Sequence, residues 1–217
     1  MPPENLDQIA DRWSGAGSAP PLRTLPTLVT EEELSEARAG SVGVAEHDMR
    51  GWSPDLLGHD PHFVILGDGR AGKTTTLRGV IRSLERVSRP GMLKIGVVDY
   101  RRRLATDVAD EFLLGHASNP EEAVALVGRI VSEVGGRTIT EQAPSAGRPE
   151  IALIVDDYDL VAGATGNPIA SVVDLVPRGS DLGFHLVLAR RVAGIARISF
   201  EPVMQRVRES GAPTLLM

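Results

Sequence analysis

Between residues 62 and 88 a short apolar run meets a glycine-rich turn and then a helix-period stripe, and this junction constrains the fold more than any other part of the chain. The run His62-Phe-Val-Ile-Leu-Gly predicts a buried strand. Residues 73 to 88 put Leu77, Val80, Ile81, Leu84 and Val87 on one stripe, opposite Arg78, Arg82, Glu85 and Arg86, which predicts an amphipathic helix with all five apolar residues in the core. Between them stands Gly67-Asp68-Gly69-Arg70-Ala71-Gly72-Lys73-Thr74, a fit to G-x-x-x-x-G-K-[ST]. A strand that turns through glycines straight into a helix presents the helix's first free N–H groups to whatever lies in the turn, and that suits an anion.

The chemistry expected of such a phosphate-binding loop can be assigned residue by residue. Gly67 and Gly72 supply conformations and close approach that a Cβ would obstruct, while Asp68, Gly69, Arg70 and Ala71 complete the backbone cradle. Lys73 reaches the β- and γ-phosphates of ATP, the Thr74 hydroxyl ligates Mg²⁺, and Thr75 helps to hold the α-phosphate. The chain has 21 Arg but only two Lys, Lys73 and Lys94, so a lysine at this point of the motif is not an accident of composition. A second group must orient the metal, and Asp156, ending the apolar run Ile151-Ala152-Leu153-Ile154-Val155, is the candidate. Asp157 stands where hydrolytic motors place a longer Glu to polarise water. Its carboxylate falls one methylene short, and a misplacement of about 1 Å costs roughly 100-fold in rate, so binding is expected to outlast turnover. Arg190, following the strand-like run 184 to 189, lies at the edge where ligands of open α/β sheets gather, and it is either a γ-phosphate sensor or a residue acting across a subunit boundary, or else an ordinary solvated charge. Arg101 to Arg103 read either as a solvated loop or as a basic patch for a partner carboxylate or a nucleotide.

The rest of the chain repeats the alternation of strand and helix. Further strands are expected at 93 to 99, 112 to 116, 151 to 156, 184 to 189 and 214 to 217. A helix opened by Ser118 and Glu121 carries a core face of Val124, Val127, Ile130, Val131 and Val134, and a last helix buries Phe200, Val203, Met204 and Val207. The expected fold class is α/β, a RecA-like P-loop NTPase with a mostly parallel sheet and helices on both faces. The first 60 or so residues are rich in Pro and Gly and hold 11 acids against 4 Arg, which reads as a tether with one short helix near 31 to 39, capped by Thr30 and Glu33. The remainder is nearly neutral. With aromatics at 4%, this argues against electrostatic capture of nucleic acid and against a base-stacking platform. No cysteine occurs, so disulfides and Cys-based zinc sites are excluded, and the five histidines suggest no metal cluster. No apolar run reaches the roughly 18 to 20 residues of a membrane span.

Five blocks beyond the loop junction carry a resemblance: Asp60-Pro-His-Phe, Val97-Val-Asp-Tyr-Arg-Arg, Ile154-Val-Asp-Asp-Tyr-Asp-Leu-Val, Gly183-Phe-His-Leu-Val-Leu-Ala-Arg-Arg and Glu201-Pro-Val-Met-Gln-Arg-Val-Arg-Glu. In this order they resemble the FtsK/SpoIIIE-like ATPase EccC of type VII (ESX) secretion, and within it the last of three tandem ATPase domains. The resemblance covers about residues 43 to 217, and residues 1 to 42 resemble the preceding linker arm. It implies an ATP- and Mg²⁺-binding domain of a cytoplasmic motor, peripheral to the inner membrane through a membrane-embedded secretion complex. Neighbouring ATPase domains and secreted WXG100-type proteins are the implied partners, and weak hydrolysis is implied by the same family. The family continues past Leu-Leu-Met with another loop and strands, so the chain is expected to be truncated at its C-terminus. The rival readings are an FtsK-like DNA translocase, disfavoured by the near-neutral body, and a P-loop kinase, for which no acceptor lid is recognisable.

Overall fold

The computed structural model describes residues 24–30, 32–34, 41–137, 147–163, 166–194 and 201–217. Two short strands, β1 (Gly43–Val44) and β2 (Gly51–Trp52), pair antiparallel. They precede β3 (His62–Leu66), α1 (Lys73–Val87), β4 (Leu93–Val98), β5 (Leu113–Ala117), α2 (Pro120–Gly135) and β6 (Glu150–Val155). The chain continues through α3 (Tyr158–Val161), two 3₁₀ turns, α4 (Gly179–Leu182), β7 (Phe184–Arg190), α5 (Pro202–Glu209) and β8 (Thr214–Leu216). Strands β3 to β8 form one parallel sheet in the order β5-β4-β6-β7-β3-β8. The expected strands are all present, to within a residue or two of their ends.

Alternation along the strands sorts the core into two layers, because successive side chains of a strand point to opposite faces. Phe63, Ile65, Ala152, Ile154, Val187 and Ala189 pack with α1 on one face. Val64, Leu66, Ile151, Leu153, Val155, Leu186 and Leu188 pack with α2 and α5 on the other. The expectation of helices on both faces of a parallel sheet therefore holds. Gly96 lets α2 press onto the sheet, since a Cβ there would lie 3.2 Å from Ile130 Cδ1.

Several local expectations need correction. Leu77, Val80, Ile81 and Leu84 are buried, each worth about 1.5–3 kcal/mol of apolar burial, but Val87 is 66% exposed because α1 ends there, beyond the sheet. In α2 the cap is Asn119, whose Oδ1 accepts from Glu122 N at 2.9 Å, and Ser118 instead donates through N and Oγ to the Glu122 carboxylate. That places Ala123 and Leu126 in the core and leaves Val124 exposed. Residues 41–60 are not a tether: Leu56 is buried, Val42, Trp52 and Leu57 pack on the α1 layer, and the Trp52 and Phe63 rings are 5.7 Å apart. The Thr30 and Glu33 capping box forms, with Thr30 N donating to Glu33 Oε2 at 2.8 Å and Glu33 N to Thr30 Oγ1 at 3.2 Å. Phe200 and the rest of the helix expected at 31 to 39 lie outside the described residues, apart from residues 32–34, which are helical.

Candidate functional site

The loop from Gly67 to Gly72 joins β3 to α1 at the C-terminal edge of the sheet. Its path needs left-handed backbone at Arg70 (φ 67) and Gly72 (φ 99), the second of which glycine adopts without penalty. A Cβ on Gly67 would stand 3.1 Å from those of Ala71 and Met217, so the loop closes tightly at its base. The loop is pinned there by Gly67 N, which donates to the Arg190 carbonyl at 3.2 Å. Asp68, Gly69, Arg70 and Thr75 are exposed around the mouth.

The start of α1 differs from those of the other long helices. Asn119 caps α2 with Glu121 and Glu122 in its first turn, and Glu201 caps α5. At α1 no side chain among the described residues caps the N-terminus, and no acid stands in the first turn. The free N–H groups and the positive end of the helix dipole are left for an anion. Lys73 is buried, and its Nζ donates to the carbonyls of Gly67 at 2.9 Å and Asp68 at 2.7 Å, which folds the side chain back onto the loop.

Asp156 arrives from β6, separated from β3 by β7, and the two residues expected to hold a metal are in contact: Thr74 Oγ1 donates to Asp156 Oδ2 at 2.7 Å. Burial pushes the Asp156 carboxyl above its ordinary value and the neighbouring charge of Asp157 adds to this, against the Thr74 hydroxyl, whose hydrogen bond favours the carboxylate. A hydroxyl and a buried carboxylate side by side are hard oxygen donors of the type Mg²⁺ takes, so these residues fit a Mg-nucleotide. Asp157 has left-handed backbone (φ 47), its N–H donates to Asp156 Oδ1 at 2.9 Å, and Arg101 Nε lies 3.0 Å from its Oδ2 as an ion pair.

The Arg190 guanidinium is fully buried; Nε donates to the Arg191 carbonyl and Nη2 to that of Ala193, Nη1 has no hydrogen-bond partner among the described residues, and the Arg190 carbonyl accepts from Gly67 N. Lys94, the other lysine, ties β4 to the Glu111 carbonyl at 2.9 Å. Two features escaped sequence reasoning, and a third, the arginine patch, is one the sequence leaves open. Asp99, buried at the end of β4, accepts from Arg101 N and Leu104 N and shapes the arginine loop; an acid ending an apolar strand, as at Asp156, was the available signal. Arg103 reaches Thr74. Tyr158 donates to Glu201 at 2.6 Å, and Asn167 joins both, fastening the segment after Asp157 to α5. Nothing local marks those three as partners.

No protein-family model matches the chain. Among curated proteins it is 34% identical to the ESX-4 secretion system protein EccC4 of Mycobacterium tuberculosis (strain ATCC 25618 / H37Rv), over 98% of this chain and 18% of that protein. It is 32% identical to the ESX secretion system protein EccC of Thermomonospora curvata, over 96% of this chain and 17% of that protein. The chain thus spans less than a fifth of the length of these relatives. Among solved structures, ATPases 2 and 3 of Thermomonospora curvata EccC in complex with a signal sequence peptide match at a TM-score of 0.77 and 31% identity, over 98% of this chain and 40% of that one. The sequence match, the parallel sheet and the shared fold agree: the chain belongs with the EccC proteins of ESX secretion, as a homologue of one ATPase segment of them.

Proposed function

We propose that the chain is the ATP-binding module of an ESX secretion motor, equivalent to the last of three tandem ATPase domains, with residues 43–217 as the domain and 1–42 as its linker arm. The observation that carries this reading is the convergence of Lys73, Thr74 and Asp156 on a helix N-terminus that no side chain caps. With ATP bound, the Lys73 ammonium would exchange the Gly67 and Asp68 carbonyls for phosphate oxygens, and the first-turn N–H groups would donate to the phosphates. Thr74 and Asp156 would hold Mg²⁺, which supplies charge neutralisation to the phosphates when bound. Asp157, short and ion-paired, is poorly placed to polarise water, which supports tight binding with slow hydrolysis.

In this reading the module works beside the neighbouring ATPase domains of its motor on the cytoplasmic face of a membrane-embedded complex, and it recruits WXG100-type export substrates. The signal sequence peptide in the Thermomonospora curvata EccC structure supports substrate recruitment by this part of the motor. The DNA-translocase alternative gains nothing from the relatives, which are named for secretion.

The test is thermal unfolding with and without Mg-ATP. At a hundredfold excess over Kd, ligand adds about 2.7 kcal/mol, which for a chain of this size raises Tm by roughly 5–11 °C. Lys73→Ala should abolish the shift; a variant that keeps it removes the site from consideration.

A further inference from the structure

Arg103 belongs to the loop between β4 and β5, and its backbone is fixed from two sides. Asp99 accepts from Arg101 N at 2.9 Å and from Leu104 N at 2.8 Å, closing the turn around it. From α1, Arg78 Nη2 donates to the Arg103 carbonyl at 2.7 Å while its Nε bonds Asp107 at 2.9 Å. Leu104, buried in the α1 layer, anchors the next residue. So held, the Arg103 guanidinium spans the site: Nη1 donates to Thr74 Oγ1 at 3.4 Å and Nη2 lies 3.9 Å from Asp157 Oδ2. Arg101 takes the shorter contact with Asp157, at 3.0 Å. Arg103 keeps only the longer ion pair with Asp157 among the described residues, and it is 43% exposed beside the hydroxyl expected to meet the metal.

Resting on the ATP-binding reading above, we propose that Arg103 is a nucleotide-site residue that supplies, opposite the loop, part of the positive charge that Mg²⁺ otherwise supplies, with the Arg101–Asp157 ion pair as its positioning element. A planar guanidinium matches two phosphate oxygens at once, and it is always charged. Its distance from Asp157 is long enough that a terminal phosphate outcompetes the carboxylate for it. The acid at the usual position of a water-polarising group then serves as an anchor for arginines, and the site retains ATP when magnesium is scarce.

The experiment is calorimetric titration of ATP into the full chain, in Mg²⁺ and in EDTA, for the wild type and for Arg103→Gln, Arg103→Lys and Lys73→Ala. A charge-assisted hydrogen bond to phosphate is worth about tenfold to a hundredfold in affinity. Removing Mg²⁺ should therefore weaken Arg103→Gln about tenfold to a hundredfold more than it weakens the wild type, with Arg103→Lys between them because it keeps the charge but loses the fork. Equal weakening of wild type and Arg103→Gln on metal removal overturns the proposal while leaving the ATP site standing. Wild type that binds no ATP in either buffer, or Lys73→Ala that binds as wild type does, defeats the nucleotide reading and this proposal together. Unfolding midpoints without nucleotide control for folding, and if Arg103→Gln is unstable the Arg103→Lys comparison decides.

Discussion

His62, the first residue of the strand that leads into the loop, should make the protein acid-sensitive. It is fully buried, and both ring nitrogens are engaged: Nε2 lies 2.8 Å from the Val176 carbonyl, and Nδ1 accepts from Leu186 N at 3.1 Å. Only the neutral Nε2–H tautomer satisfies both, because protonation would turn Nδ1 into a donor facing an N–H. Burial is the main cause that lowers its pKa from 6.5 to about 4, with His185 adding to it and the Val176 carbonyl opposing. Between these values the unfolded chain carries a proton that the folded one refuses, so stability is full above 6.5 and declines as pH falls towards 4, by roughly 3 kcal/mol in all. Urea unfolding from pH 7.5 to 4 should show this decline in the wild type. His62→Gln should start less stable and have a curve flatter by about that amount over the same window. Side-chain NMR gives a second readout, in which the His62 imidazole stays neutral at pH 5.5. An imidazole that titrates at or above 6.5, or parallel wild-type and variant curves, would refute the reasoning.

Two further substitutions probe packing at the start of β3, the end of the strand away from the loop. Gly179 has helical backbone (φ −52), where alanine is conformationally welcome, yet its Cβ would stand 2.6 Å from His62 Nε2 and 2.7 Å from the Phe184 carbonyl. Gly179→Ala should therefore cost about 1–3 kcal/mol by overpacking, read from the urea midpoint, and a neutral or stabilising result would show the pocket to be slack. Trp52→Ala removes the ring packed on buried Phe63 and should cost about 1–3 kcal/mol, provided that residues 41–60 unfold with the sheet; an unchanged midpoint would return that segment to the status of a tether.

Most of the architecture was readable in the linear chain, because strands buried on both faces are continuous apolar runs and α1 announces itself by period. The loop was readable for a related reason: Gly67 to Thr74 are neighbours, so their joint geometry is local. The errors fell where a local signal had to be placed against something distant. Val87 and Val124 are at the right period for a core face, but whether a face is covered depends on where the helix stops and how its cap rotates it. Residues 41–60 have a tether's composition and are held by Phe63, whose ring no local pattern connects to Trp52.

Residue types and their spacing determined that there would be a phosphate-binding turn between a strand and a helix, and that Lys73 and Thr74 would stand in it. Strand order decided the rest. Placing β7 between β3 and β6 fixes how Asp156 reaches Thr74 across 82 residues of chain, and the turn after β4 brings Arg101 and Arg103 onto Asp157. Those contacts lie between elements that meet only when the sheet is assembled, since hydrogen-bonded pairing of parallel strands joins segments far apart in the chain and leaves no periodic trace in either one.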